Sequence, residues 1–445
     1  MYTEQLPIFK ELNPYSGQID KNNRWIKLSR LVPWRELDEI YRRHFAEGKQ
    51  SVIKSSRLIL GLMLGQMLLE QGDRAIVEYF HENPYFQYFC GQDTFVVKTN
   101  KSIIHHSLLS KRRKRLGKGY VLQFEREVLE VLKQKGLIKG KKLILDATVF
   151  PANITYPNDV KLLNTVREYL CQKILDVKNT YDPKGRVRTF RRTARKLYLN
   201  FQKTKRKSKA LIRKTRNKMI RYVRRNIQQL ETVLSHETML KPWQKEQINA
   251  KLTVAKAVLE QQAHMATTRG RQVANRIVSF HWPDVRPMVR GKDGKAVEFG
   301  PKAHVALVDG YAFLDDAQYE PFHEGIQLEN SLKRHDARFE KQPDIILADQ
   351  LYANRKNRAL LEDKGIDHAF KRMGRPPNES KEDKRLHRRQ FKQKQGQRNH
   401  VEATFGHLKD RFNLDKVKWT VPGGETMQIQ LGLIAFNLNT ALANV

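Results

Sequence analysis

Three acidic residues stand where carboxylates do chemistry. The segment 141–150, KKLILDATVF, runs from a basic turn through an apolar stretch, Leu143 to Leu145, into Asp146. It is too short for a helix and predicts a buried strand, with Ile144, Asp146 and Thr148 on one face. An aspartate ending a central strand is costly unless it is paired, hydrogen-bonded or bound to a cation. Two readings therefore stand for this segment, a metal ligand and a strand-end turn. The pattern recurs after Pro343 in DIILAD, an apolar run that delivers Asp349. Neighbouring strand ends would bring both carboxylates within reach of a shared divalent cation. The third acid, Glu402, lies in RNHVEATFGHLKDRF, a predicted helix with two faces. Val401, Phe405, Leu408 and Phe412 make an apolar stripe. Arg398, Glu402 and Lys409 share a neighbouring face, within about 40° at ~100° per residue. That face is either a salt-bridged surface or a carboxylate offered to a metal pair beside cations offered to phosphates.

The elements that must position these acids belong to a chain of 445 residues with a formal charge of +37 and a pI of about 10.1. Such a length predicts about two or three domains. Such a charge predicts a polyanionic partner, nucleic acid first. The longest apolar run, 58–69, is broken by Gly61, Gly65 and Gln66, is too short to span a bilayer, and reads as a core helix. The opening MYTEQLPIFKEL lacks a signal-peptide pattern. Cys90 and Cys171 stand far apart and support neither a disulfide framework nor a cysteine zinc site, which fits a reducing cytoplasm.

Region 1–140 reads as helical. Amphipathic helices are expected at 34–45, entered at Pro33, and at 55–71. Asp73 reads as the cap of the next helix, 75–82. The clustered aromatics Tyr85, Phe86, Tyr88 and Phe89 read as core. Residues 102–118 carry His105, His106 and the cluster KRRKR, a basic exit suited to reading a DNA end, and 124–135 is a further helix. After Asp146 come a Pro/Asn-rich loop with Asp159 and a long helical stretch from Val160. Residues 184–225 contain no Asp or Glu, while Lys and Arg recur among Phe190, Tyr198, Phe201 and Tyr222. Like charges without counter-charge repel, so this run favours phosphate contact, with Arg191, Arg192, Lys205 and Arg206 as contact residues. Residues 228–268 read as the return arm of a helical hairpin. Short strands are expected at 277–281 and 285–290, an exposed turn at 291–295, and strands at 304–308 and 311–314 about the hairpin turn Asp309-Gly310, which makes Asp309 structural. Helices at 327–341 and 354–364, a short strand at 367–370, a loop with Pro376-Pro377 leading to a basic helix, and a final apolar helix at 428–443 complete the chain.

On these residues the chain resembles a DDE transposase of a bacterial insertion sequence. It is similar to the group whose third-acid motif reads Tyr, two residues, Arg, three residues, Glu, six residues, Lys. GDRAIVEYFHENPYFQYFCG resembles the helical N-terminal transposase domain. LILDATVFPANITYPND resembles the first-acid motif, IILADQLYANRKNR the second and RNHVEATFGHLKDRF the third; RIVSFHWPDVRPMVRGK and VEFGPKAHVALVDGYAF resemble the intervening strands. Arg398 and Lys409 match the signature spacing. Gln395 stands where the signature has Tyr, and Leu351 replaces the usual Gly before Tyr352.

The resemblance implies an α/β, RNase H-like mixed sheet with flanking helices. Its catalytic domain would comprise 141–159 and 276–445, interrupted by a basic helical insertion at 160–275 and preceded by a helical DNA-binding domain at 1–140. It implies Asp146, Asp349 and Glu402 as catalytic metal ligands for two Mg²⁺ or Mn²⁺ ions, with Arg398 and Lys409 toward DNA. It further implies cleavage and strand transfer at terminal inverted repeats, double-stranded transposon-end and target DNA as partners, a homodimer in a synaptic complex, and a cytoplasmic, nucleoid-associated location without membrane contact. Another metal-dependent nuclease of this fold, such as a resolvase, and a DNA-binding protein that has lost catalysis are the alternatives.

Overall fold

The computed structural model describes residues 19–44, 54–92, 95–96, 103–236, 239–268, 273–289, 297–371, 373–374 and 380–444. The expected turn at 291–295 and the Pro376-Pro377 loop lie outside the described residues. Contacts divide the chain into two compact units, Met1–Asn153 with Gly300–Val445, and Ile154–Phe299.

The first unit begins with α1 (Arg24–Ser29), α2 (Trp34–Arg43), α3 (Ser56–Leu68), α4 (Asp73–Glu82), α5 (Pro84–Phe89) and α6 (Ser107–Gln134). Helix α3 is apolar all round and almost wholly buried, as such a helix must be. A Cβ at Gly65 would stand 2.4 Å from the Phe86 ring, so the glycine admits α5 at close range. Phe86 and Phe89 are core, packed on Trp25. Asp73 is not the cap of α4 but its first residue; Gly72 precedes it. Its carboxylate instead takes a forked pair from Arg113, at 2.8 and 2.6 Å. Arg113 also lies over the Trp419 ring, 4.3 Å from its centroid. One member of the KRRKR cluster is thus part of the core. Helix α6 is broken at Gly117, whose backbone is non-helical, and the helix expected at 124–135 is its later part.

Strand β1 (Lys142–Val149) follows. The second unit then holds α7 (Asp159–Tyr181), α8 (Arg191–Lys203), α9 (Lys209–Ser235), α10 (Pro242–Thr267), β2 (Pro287–Val289) and β3 (Val297–Phe299). Its core is built by Leu163, Val166, Leu170 and Ile174 of α7 against Met219, Val223 and Leu230 of α9 and Val258 of α10. The expected return arm at 228–268 begins later: residues 228–235 complete α9, and α10 packs back on it. Residues 277–281 are not a strand. Side chains of α10 take part of their backbone: Gln261 bonds both the amide and the carbonyl of Ile277, and Lys251 donates to the carbonyls of Phe280 and His281. Asp159 is held by Arg276 at 2.8 Å and Gln262 at 2.9 Å, a structural clamp within this unit.

The first unit resumes with β4 (Lys302–Val308), β5 (Tyr311–Gln318), α11 (Leu328–Phe339), β6 (Ile345–Ala348), α12 (Arg355–Asp363), β7 (Asp367–His368), α13 (Lys381–Arg411) and α14 (Gly424–Asn444). The sheet order is β5-β4-β1-β6-β7. Central β1 is antiparallel to β4 and parallel to β6. Asp309-Gly310 makes the β4–β5 turn with positive φ at both positions, and the Asp309 carboxylate accepts from the amides of Lys139, Lys141 and Lys142. Asn437 of α14 bonds both backbone groups of Ala312 on edge strand β5, covering an edge that would otherwise invite another strand. No described helix is long and apolar enough to cross a membrane.

Arg113 is 5% exposed in its side chain while Lys111 and Lys114 of the same cluster are exposed. Breaking a buried ion pair leaves an uncompensated charge, so Arg113→Ala should cost about 3–5 kcal/mol. Lys114→Ala should stay within about 0.5 kcal/mol of the parent. Urea unfolding of the two variants checks this.

Candidate active site

The β1–β6 pairing ends at Leu145 opposite Ala348, so Asp146 and Asp349 are the next residue on each of two adjacent parallel strands. Strands in a sheet lie about 4.8 Å apart and residues in register share a face. The two acids therefore stand side by side where the parallel ladder stops. Asp146 lies within β1 rather than at its end, since the strand continues along β4 to Val149. Asp349 leaves β6 directly and caps the 3-10 turn Gln350–Tyr352, its Oδ1 accepting from the Gln350 amide at 2.5 Å.

Helix α13 packs on β1 and β6. Val401, Thr404, Phe405 and Leu408 are its buried residues, which sets its rotation. Arg398 and Glu402 then fall on the acid-bearing side. The Arg398 guanidinium bonds Glu402 at 3.2 Å and stands 3.8 Å from an Asp146 oxygen, bridging the two. Lys409 donates to Thr148 Oγ1 at 3.0 Å, two residues beyond Asp146 on the same strand face. Gln395, at the signature's tyrosine position, donates to the carbonyl of Ala369 at 2.7 Å and ties α13 to the chain after β7. Glu402 is half exposed. As the side chains stand, no three His, Cys, Asp or Glu among the described residues form a metal-holding group.

Sequence reasoning missed Glu324, on the 3-10 turn Glu324–Ile326. It follows no apolar strand, so no pattern marks it. Lys302 holds it at 2.8 Å. Its turn stacks on the one that follows Asp349: a Cβ at Gly325 would stand 2.4 Å from the Leu351 carbonyl, and Asn357 donates to the carbonyls of both Gly325 and Tyr352. Tyr352 is buried, its hydroxyl 2.7 Å from His304 Nε2. Behind His304 lie Ser331 at 3.3 Å and Asp315, which Arg338 holds at 2.6 Å. Burial pushes the Asp315 carboxyl up, but Arg338 and His304 outweigh it and hold it at about 2.

Burial likewise pushes the Asp146 carboxyl up, to about 6; the charges of Glu324 and Asp349 add to this, against the Ala147 amide and Arg398. The site thus concentrates negative charge that its own cations do not fully offset. Hard oxygen donors in this state fit a divalent ion such as Mg²⁺ or Mn²⁺.

The four residues proposed from the acid-free run lie in the second unit. Arg191 and Arg192 open α8, and Lys205 and Arg206 lie between α8 and α9; all four are exposed, and none pairs with a carboxylate among the described residues. The aromatics of that run serve packing. Phe201 is buried, and Phe190 carries the guanidinium of Arg225 4.0 Å from its centroid.

Residues 13–115 match the Transposase domain (DUF772) family, and residues 346–438, which include Asp349, Arg398, Glu402 and Lys409, match the Transposase DDE domain family. The two matches support an insertion-sequence DDE transposase. An uncharacterized protein, ORF8 of the nfe locus of Rhizobium meliloti, is 27% identical over 147 residues, 32% of this chain and 69% of that protein. No solved structure matches the chain.

The Asp146 environment has a stability signature. The folded carboxyl titrates near 6 against an ordinary 3.8, so between these values the folded chain keeps a proton that the unfolded chain releases. Stability therefore falls as pH rises through that window, by up to about 3 kcal/mol above pH 6. In chelator, Asp146→Asn should be more stable than the parent by about 2–3 kcal/mol at pH 7.5 and equal to it near pH 4. Thermal unfolding at the two pH values reads this directly.

Proposed function

We propose that this chain is a transposase that binds the terminal inverted repeats of an insertion sequence and carries out metal-dependent strand cleavage and strand transfer. What supports this most is the registered adjacency of Asp146 and Asp349, with Glu402 one guanidinium away. The sheet order, with a central strand antiparallel on one side and parallel on the other, supports an RNase H-like catalytic fold. The domain scheme proposed with it is a helical DNA-binding region at 1–140, a catalytic domain at 141–159 and 276–445, and a basic insertion at 160–275.

Asp146, Asp349 and Glu402 would hold Mg²⁺ or Mn²⁺. Bound there, two such ions supply a nucleophile at neutral pH and offset charge on the leaving oxygen. The chain's own groups set the rest. Asp146 must be ionised to bind a dication, so affinity should weaken as pH falls through 6. Arg398 supplies counter-charge between Asp146 and Glu402 and offers a fork for phosphate oxygens. Lys409 holds a second positive charge along β1. Arg191, Arg192, Lys205 and Arg206 offer phosphate contacts, which position DNA without reading its sequence. Joining two transposon ends to target DNA calls for two copies of the chain in a synaptic complex.

Glu402→Gln keeps size and removes charge at an exposed position. It should leave folding and duplex binding within about twofold of the parent and abolish Mg²⁺-dependent cleavage of an end-containing duplex. Cleavage near the parental rate would remove Glu402 from the site, and cleavage without strand joining would favour a nuclease.

Reversing Arg191, Arg192, Lys205 and Arg206 together should weaken binding to all duplexes alike. The slope of log K against log salt should fall by about 0.9 for each phosphate that the variant no longer neutralises. An unchanged slope would exclude this surface from the DNA interface.

A further inference from the structure

The amino-terminal part of α13 adds little to the core of the fold. The helix is 31 residues long, yet its buried residues all lie between 401 and 408. Moving back from Glu402, side-chain ties to the body run from Gln397 to Lys142, Gln395 to Ala369 and Lys394 to Asp367. Every residue from 381 to 390 is exposed. Between Asp383 and Glu402 there is no acid, but seven Lys and Arg: 384, 385, 388, 389, 392, 394 and 398. A helical stretch without tertiary packing draws little stability from propensity alone. Like charges four apart, as at Lys384/Arg388, Arg385/Arg389 and Arg388/Lys392, destabilise it further. A polyanion laid along the helix would reverse that penalty.

The helical repeat also fixes direction. At ~100° per residue, Lys384, Arg388, Arg398 and Lys409 all fall within about 40° of Glu402. At ~1.5 Å per residue, Arg388 lies about 21 Å and Lys384 about 27 Å from Glu402 along the axis. Phosphates of one strand repeat about every 3.4 Å, so these distances correspond to roughly six to eight nucleotides.

We propose that residues 381–393 form a rail that grips the sugar-phosphate backbone of duplex DNA about six to eight base pairs from the phosphate cut at Asp146, Asp349 and Glu402. This rests on the transposase reading above. The duplex on the rail is either the transposon end or the flanking donor DNA. Both present the same phosphates, and substrate truncation tells them apart.

The test compares the parent with Lys384→Gln/Arg388→Gln/Lys392→Gln, with circular dichroism to verify folding. On a duplex extending 20 base pairs to each side of the cut, the variant should bind ten- to a hundredfold more weakly. Its salt slope should be smaller by about 2.7 if each side chain meets one phosphate. Cleavage at saturating DNA should stay within about threefold of the parent, which separates holding from chemistry. Trimming one side to four base pairs should bring the two proteins' affinities together for the side that lies on the rail, and trimming the other should not. An unchanged salt slope in a variant of a DNA-binding, DNA-cleaving parent would overturn the rail alone. So would an affinity difference that survives trimming of both sides. A parent without affinity for duplex would overturn the transposase reading and the rail with it.

Discussion

The parallel pairing of β1 with β6 is the constraint on which the site depends. Each strand carries an apolar run with covered faces, and each run is followed by an aspartate at the position where the parallel ladder ends. A slip of one residue would send one carboxylate to the opposite face and dissolve the pair. In this register Leu143, Leu145, Ile346 and Leu347 are all buried. The consequence is an electrostatic cost at Asp146, whose carboxyl is pushed up by burial and by its acidic neighbours. Local rules of stability are broken at this place, as is usual where a fold carries function.

The rest of the first unit keeps those two strand ends still. The loop after Asp349 is held from below by Tyr352 on His304, and sideways by Asn357 and the glutamate-bearing turn stacked against it. Helix α13 is locked in rotation by its short apolar stripe. Its exit is locked too: Val417 bonds Pro151 and Asn153 through the backbone beside the end of β1, with Gln428 of α14 organising residues 413–419 through four hydrogen bonds to backbone groups. Sites need this kind of support, because a carboxylate misplaced by an ångström is a different site.

The second unit shows how little composition says about the work of a single cation. Arg167 and Lys178 are almost fully buried and hold backbone or side-chain oxygens of their own helix neighbourhood. Arg225 donates to the Thr189 carbonyl and covers Phe190. Arg191, Arg192, Lys205 and Arg206 are exposed. All belong to one chain with a large positive excess, and only packing separates the cations that fold the unit from those that face solvent.

Much of the architecture was legible from local pattern. Apolar runs ending in acids marked β1 and β6, Asp-Gly marked the β4–β5 turn, apolar runs marked α3 and α14, and helical spacing marked the buried stripe of α13. These features are set by neighbours in the chain, where periodicity and turn chemistry act. Other features were not legible. Residues 277–281 look like a strand, yet side chains of α10 bond the backbone of Ile277, Phe280 and His281, and Asp73 serves Arg113 rather than capping a helix. Glu324 and the Tyr352–His304 contact carry no local mark, because they arise where segments remote in sequence meet. By itself the sequence determined which residues could be strands, turns and acids, and how much positive charge the chain bears. The tertiary structure alone decided that Asp146 and Asp349 stand adjacent, that Arg398 lies between Asp146 and Glu402, and which arginines are buried. Adjacency, burial and the pKa shifts they cause depend on long-range packing, and no window along the chain contains it.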